Sequence, residues 1–114
     1  MNTVTAKPSI NGKEIEIVAT CGVNDKYGGI ELAMYVKIMM IIIKEHDYDM
    51  YVIEMCDENH FQVRLAGYRL NGGELDEKSI VYKSEKSLHV EKMFFKIDDY
   101  GDKYVGTFLF PSEW

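Results

Sequence analysis

Three patterns of apolar and polar residues succeed one another along the chain, and each predicts its own kind of element. Near the start, Ile15, Ile17 and Ala19 alternate with Glu14 and Glu16, the period of two that puts one side of a strand in a core and the other in water. The preceding segment, from Thr3, joins it through Asn11 and Gly12. Asn-Gly is the pair that a type I′ hairpin turn needs, because both central positions take positive φ. Pro8 has no N–H to give to a ladder, so the first strand is expected at an edge of its sheet.

The second pattern runs from about Gly28 to about His46 and is helical. Its centre, Ile38 to Ile43, is six apolar residues in succession. At about 100° per residue these leave no direction free of apolar side chain, so the helix is expected to be covered on nearly all sides. Glu31, Lys37, Lys44 and Glu45 fall on one polar stripe roughly 140° wide. Between strand and helix, Cys21 to Gly29 reads as a loop by its glycines.

The third pattern returns to strands. Asp49 to Cys56 and Phe61 to Leu70 alternate on either side of a short Asp-Glu-Asn-His turn, with Tyr51, Ile53 and Met55 on one face. Asn71, Gly72 and Gly73 predict another turn before a strand near Ser79 to Lys83. Met93, Phe95 and Ile97 alternate with Lys92, Lys96 and Asp98, and the chain returns through Asp99 to Asp102 into a last strand, Tyr104 to Phe110.

The expected fold is therefore α+β: one long apolar helix packed on a mainly antiparallel sheet of about six or seven strands, in the order ββ-α-ββββ. Short turns demand antiparallel neighbours. Only the stretch from Ile15–Thr20 through the helix to Met50–Cys56 has the length of a parallel crossover. At 114 residues the whole chain, 1–114, is expected to be a single domain.

Composition narrows the setting. The apolar run Leu32–Ile43 contains Lys37 and is shorter than the ~18–20 residues that span a bilayer. Residues Met1 to Pro8 lack the basic flank and apolar core of a secretory signal. A cytoplasmic protein with reduced thiols at Cys21 and Cys56 is the expectation. Nineteen acidic against thirteen basic residues give a net charge of −6, which repels nucleic acid and favours encounter with a basic protein.

Candidate chemistry adds little to this. A thiol between a strand and a helix, as at Cys21, is where a thioredoxin-like unit carries its nucleophile, but Cys-x-x-Cys is missing and the expected helix start lies beyond the reach of its dipole. Cys21 is expected as a small buried loop thiol. Cys56, Asp57, Glu58 and His60 resemble half a metal site, yet His46 and His89 complete no ligand spacing. Gly22, Gly28 and Gly29 form no phosphate-binding pattern, and no serine has a nucleophile context. The expectation is a non-enzyme with no catalytic residue, metal or cofactor.

Acidic residues grouped with tyrosines are the stronger signal. Glu45 to Glu58 holds six carboxylates and no Lys or Arg, with Tyr48 and Tyr51 interleaved, and Asp98 to Tyr104 repeats the mixture. Clustered acids steer a basic partner and tyrosine supplies rigid contact area. The partner-binding candidates are Asp47, Tyr48, Asp49, Asp57, Glu58, Asp99, Tyr100 and Asp102. Alternation turns Tyr51 inward, which leaves Tyr48 as the aromatic contact. These residues suggest an inhibitor- or immunity-like module that covers a basic site on another protein, such as a nuclease. The alternatives are a thiol redox protein using Cys21 and a homo-oligomeric subunit joined through its apolar helix.

Overall fold

The computed structural model describes residues 2–4, 9–10, 12–70, 72–76, 79–85 and 89–114. The alternating strand is present as β3 (Lys13–Ala19), with Ile15, Ile17 and Ala19 buried and Glu14 exposed. Two short strands, β1 (Asn2–Val4) and β2 (Ser9–Ile10), pair antiparallel with its outer edge. Ile10 pairs with Lys13, and Gly12 before it has φ 80°, a conformation open to glycine and strained for most other residues. Asn11 and Pro8 lie outside the described residues.

Two helices follow instead of one. Cys21–Tyr27 is a helix, α1, where a loop was expected, and α2 (Ile30–His46) comes after a break at Gly28 and Gly29. Thr20 starts α1: its hydroxyl oxygen accepts the Val23 N–H at 3.4 Å, satisfying one of the donors that a helix start leaves open. Val23 and Tyr27, four residues apart, bury one face. Asp47 ends α2 in the left-handed conformation, with its N–H donating to the Ile43 carbonyl.

Helix α2 is not covered all round. Leu32, Tyr35, Val36, Met39, Ile42 and Ile43 are buried, whereas Ile41 is 58 % exposed and Ile30 is 90 % exposed. The run of six apolar residues thus places its fourth member in water, because the sheet reaches only one side of the helix.

The remaining strands are β4 (Met50–Met55), β5 (Phe61–Leu65), β6 (Gly67–Tyr68), β7 (Leu75–Asp76), β8 (Ile80–Lys83), β9 (Met93–Asp99) and β10 (Lys103–Leu109). The order across the main sheet is β1-β3-β10-β9-β4-β5-β8, and β6 and β7 form a separate pair. The expected run Phe61–Leu70 is broken at Ala66, whose N–H donates to the Met50 carbonyl at 3.1 Å while Leu65 bonds to Ser79. Among the described residues, three strands, two α-helices and seven strands replace the expected ββ-α-ββββ order.

The sheet is mixed. β3 and β10 run parallel, Ile15 beside Tyr104 and Ala19 beside Phe108, while the other pairs in the sheet are antiparallel. β4 points the same way as β3, but the β9–β10 hairpin stands between them, so the expected direct crossover does not form.

One face of this sheet carries a continuous apolar layer under the helices: Ile17 beside Gly106 beside Ile97, and Phe108 beside Phe95 beside Tyr51 beside Leu65. Neither α1 nor α2 lies on the opposite face. There Val18, Val52 and Leu109 are buried by their neighbours and the chain end: Pro111–Glu113 forms a turn of 3-10 helix, and the Trp114 ring meets Phe94 edge-on at 5.8 Å. No described helix is long and apolar enough to cross a membrane.

Candidate functional site

Register decides which acidic residues meet. Met50 opposes Lys96 and Ile53 opposes Met93, so Asp47 and Asp49 project past Lys96 toward the β9–β10 turn. Asp57 and Glu58 sit beyond the other end of β4, whose six residues make about 20 Å of extended chain. The parallel pairing adds β3 to the first end, with Glu14 beside Lys103 and Glu16 beside Val105, itself opposite Asp98. Asp47, Asp49, Asp98, Asp99, Tyr100 and Asp102 thus gather with Glu14 and Glu16 at one end of the sheet.

Most of these carboxylates are held. Asp49 Oδ1 accepts the Tyr68 N–H at 2.9 Å and its Oδ2 lies 3.3 Å from Lys96 Nζ, while its carbonyl accepts from Ile97. Lys96 also lies 3.9 Å from Asp98. Lys103 pairs with Glu16 at 2.6 Å, and this hydrogen bond holds the ammonium above its ordinary range. Lys13 pairs with Asp99 at 2.9 Å; that contact, followed by the Gly101 N–H, holds the Asp99 carboxyl low. Asp102 adds its field to both Lys13 and Lys103. At the tip of the turn Tyr100 is 65 % exposed, its N–H donating to the Lys103 carbonyl.

Tyr48 departs from its expected role. It is 5 % exposed, in a bridge with Arg69, whose guanidinium lies 5.4 Å from the centre of its ring. Its N–H donates to the Tyr51 hydroxyl at 3.1 Å, and Tyr51 is fully buried, as its place in the alternation implied. Burial raises the Tyr51 hydroxyl well above its ordinary value despite the bond from Tyr48. Tyr48 is a core residue because the β6 strand and Arg69 close over it.

Asp57 and Glu58 form no part of the same face. Asp57 Oδ1 accepts from the Asn59 N–H at 2.8 Å and from the His60 N–H at 2.9 Å, with His60 Nδ1 also at 2.9 Å. The backbone bond from Asn59 first, and His60 next, hold the Asp57 carboxyl low. Most of these bonds stay within the turn, and Lys83 of β8 lies 4.0 Å from Asp57 Oδ2. Cys56 joins the turn by donating to the His60 carbonyl at 3.3 Å. Among the described residues no group of three His, Cys, Asp or Glu side chains is arranged to hold a metal.

Cys21 is exposed at the first position of α1, contrary to the buried loop thiol expected, and neither cysteine is in a disulfide. The Glu113 carboxylate is already at this helix start, with Oε1 2.7 Å from the Thr20 hydroxyl. Elsewhere, Met34, Ile38, Ile41 and Ile42 of α2 and Val81 and Tyr82 of β8 line a groove with a cavity of about 280 Å³.

The sequence reading grouped Asp98 with the acidic last turn without counting it among the contact residues, and it missed Glu14 and Glu16 as members of the acidic end. Their outward alternation was visible, but the β3–β10 pairing that joins them spans most of the chain. No family model matches the chain, and neither a curated protein nor a solved structure does.

Proposed function

We propose that the protein is a non-enzymatic binding module, inhibitor- or immunity-like, whose acidic sheet end covers a basic site on another protein, such as a nuclease. The observation that carries this reading is the convergence of the β9–β10 turn with Asp47, Asp49, Glu14 and Glu16, which sets seven carboxylates against Lys13, Lys96, Lys103 and Arg69 around an exposed tyrosine. Lysines paired to the inner acids hold side chains in place, Lys96 lies 3.9 Å from Asp98, and Asp98, Asp102 and Tyr100 are exposed at the rim. Such a surface accelerates encounter with a cationic partner, and the tyrosine supplies the desolvated contact that slows release. A cytoplasmic setting belongs to the same proposal.

The test is capture from source-cell lysate on the immobilised protein, followed by measurement of association against ionic strength. Asp98→Lys with Asp102→Lys is expected to slow association with the captured partner and flatten its salt dependence. An unchanged association rate would remove this end of the sheet from the interface.

A second reading, self-association through the outer side of α2, has Ile41 and Ile30 in its favour, since both present apolar surface to water. Light scattering on the parent and on Ile41→Lys decides it. A parent that is monomeric at high concentration rejects it.

A further inference from the structure

The C-terminal turn is fastened to the rest of the fold by one carboxylate. Glu113 Oε1 accepts two hydrogen bonds, from the Thr20 hydroxyl at 2.7 Å and from the Phe110 N–H at 2.9 Å, and the Glu113 N–H returns a bond to the Phe110 carbonyl at 2.9 Å. The Thr20 hydroxyl has a single proton. With that proton given to Glu113, its oxygen is left to accept the Val23 N–H. Thr20 is fixed in turn by its N–H, which donates to the Phe108 carbonyl at 3.0 Å. The carboxylate therefore ties together the end of β10, the junction of β3 with α1, and the 3-10 turn.

Beyond this fastening, the turn places Trp114 on the sheet face that carries neither α1 nor α2. The indole rests edge-on against Phe94 beside a shallow cleft lined by Lys96, Asp98, Thr107 and Leu109, yet it remains 68 % exposed. A side chain so exposed gains little from burial, so its position depends on the turn that presents it. The turn itself has no buried residue.

We propose that Glu113 is the release point of a carboxylate clasp, by which the C-terminal turn holds Trp114 across the sheet face opposite α1 and α2, so that neutralising this one side chain frees the indole and uncovers Phe94. Protonation, or an amide in its place, removes the charge that strengthens these bonds and sets an O–H or N–H where the Gly22 N–H now finds an acceptor. The groups that face the Glu113 carboxylate are the Phe110 N–H, the Thr20 hydroxyl and the Gly22 N–H, and these, in that order, keep its carboxyl below the ordinary value. Cys21, between Thr20 and Gly22, is the titratable neighbour on α1. Lys96 and Asp98 face Trp114 and not the carboxylate. Because the folded value is depressed, the clasp is complete above the ordinary glutamate range and opens as pH falls through the lower folded value.

Trp114 is the only tryptophan in the chain, so its indole band in near-UV circular dichroism reads the clasp directly. The expected result is loss of that band in Glu113→Gln at neutral pH with the far-UV spectrum retained, and the same loss in the parent on acidification, with Trp114→Phe assigning the signal. Thr20→Ala is expected to lose the band and Thr20→Ser to keep it, which preserves the test if Glu113→Gln fails to fold. An intact indole band in folded Glu113→Gln or Thr20→Ala would overturn the proposal. So would an acid transition of the parent in which the near-UV and far-UV signals change together.

Discussion

The Phe95 ring occupies the space that a side chain at Gly106 would need. A Cβ at position 106 would overlap Cζ and come within 3.0 Å of Cε1 and 3.1 Å of Cε2. Gly106 stands on β10 between Ile17 of β3 and Ile97 of β9, at the parallel β3–β10 joint of the sheet. The ring itself cannot withdraw, since Phe95 is fully buried with Phe108 at 4.7 Å.

Gly106→Ala is therefore expected to destabilise by about 1–3 kcal/mol, the usual cost of overpacking a filled core. Adding Phe95→Leu should recover part of that loss, so that the two changes combine less than additively. Urea denaturation of the four proteins of the cycle measures the coupling. Strict additivity would mean that the two residues do not share this space.

Helix α2 gives a contrast within about half a turn. Met39→Ala is expected to cost about 2–5 kcal/mol, because the side chain is fully buried in the core. Ile41→Ala, two positions on, should change stability by no more than about 0.5 kcal/mol, as at most surface sites. Equal losses in the two variants would mean that something covers the outer side of the helix in solution.

Tyr51→Phe removes the acceptor of the buried Tyr48 N–H and leaves that donor without its partner. The expected loss is about 1–3 kcal/mol, although the ring and its packing are kept. Thermal unfolding checks it, and Tyr48→Ala should likewise appear as instability before it appears in any binding rate.

Asp99 and Lys13 make a signed pH prediction. Lys13 and the Gly101 N–H hold the Asp99 carboxyl below its ordinary value of 3.8, so its contribution is full above the ordinary range and is lost as pH falls through it to the folded value. Lys13 is raised by the same contact, and its share is lost only as pH rises through its folded value. Melting temperature plotted against pH should fall less steeply on the acid side for Asp99→Asn than for the parent. Parallel curves would show that this surface pair adds nothing to the acid limb, as many exposed pairs do not.

Cys21 should alkylate no faster than an ordinary exposed thiol. The start of α1 already has the Glu113 carboxylate against it, and Cys21 belongs to no Cys-x-x-Cys pair. Alkylation at neutral pH, with Cys21→Ser as control, measures the rate. Strong acceleration would revive a redox role for this thiol.

How far the sequence carried the fold depends on the range of the interaction concerned. Local alternation located β3, β4, β9 and β10 to within about two residues, because a strand half in water writes its own period. Helix α1 was legible in principle from Thr20 as a cap and from Val23 and Tyr27 four apart, but three glycines within eight residues outweighed that signal. The exposure of Ile41 could not be read from composition, since it depends on how far the sheet extends around the helix. The candidate site suffered most from distance. Asp47 and Asp57 are near in sequence and stand at opposite ends of β4, whereas Asp49 and Asp98 are far apart in sequence and share Lys96.

The most direct measurement on the proposed function compares the two ends of the sheet in one capture experiment. The parent, Asp98→Lys with Asp102→Lys, and Asp57→Lys with Glu58→Lys are each immobilised and exposed to the same source-cell lysate. The two variants remove equal charge, and each leaves the apolar core untouched. A basic protein retained by the parent and by the Asp57/Glu58 variant, but lost from the Asp98/Asp102 variant, is the result predicted for a binding face at the β9–β10 end. Loss from the Asp57/Glu58 variant with retention by the other would contradict it.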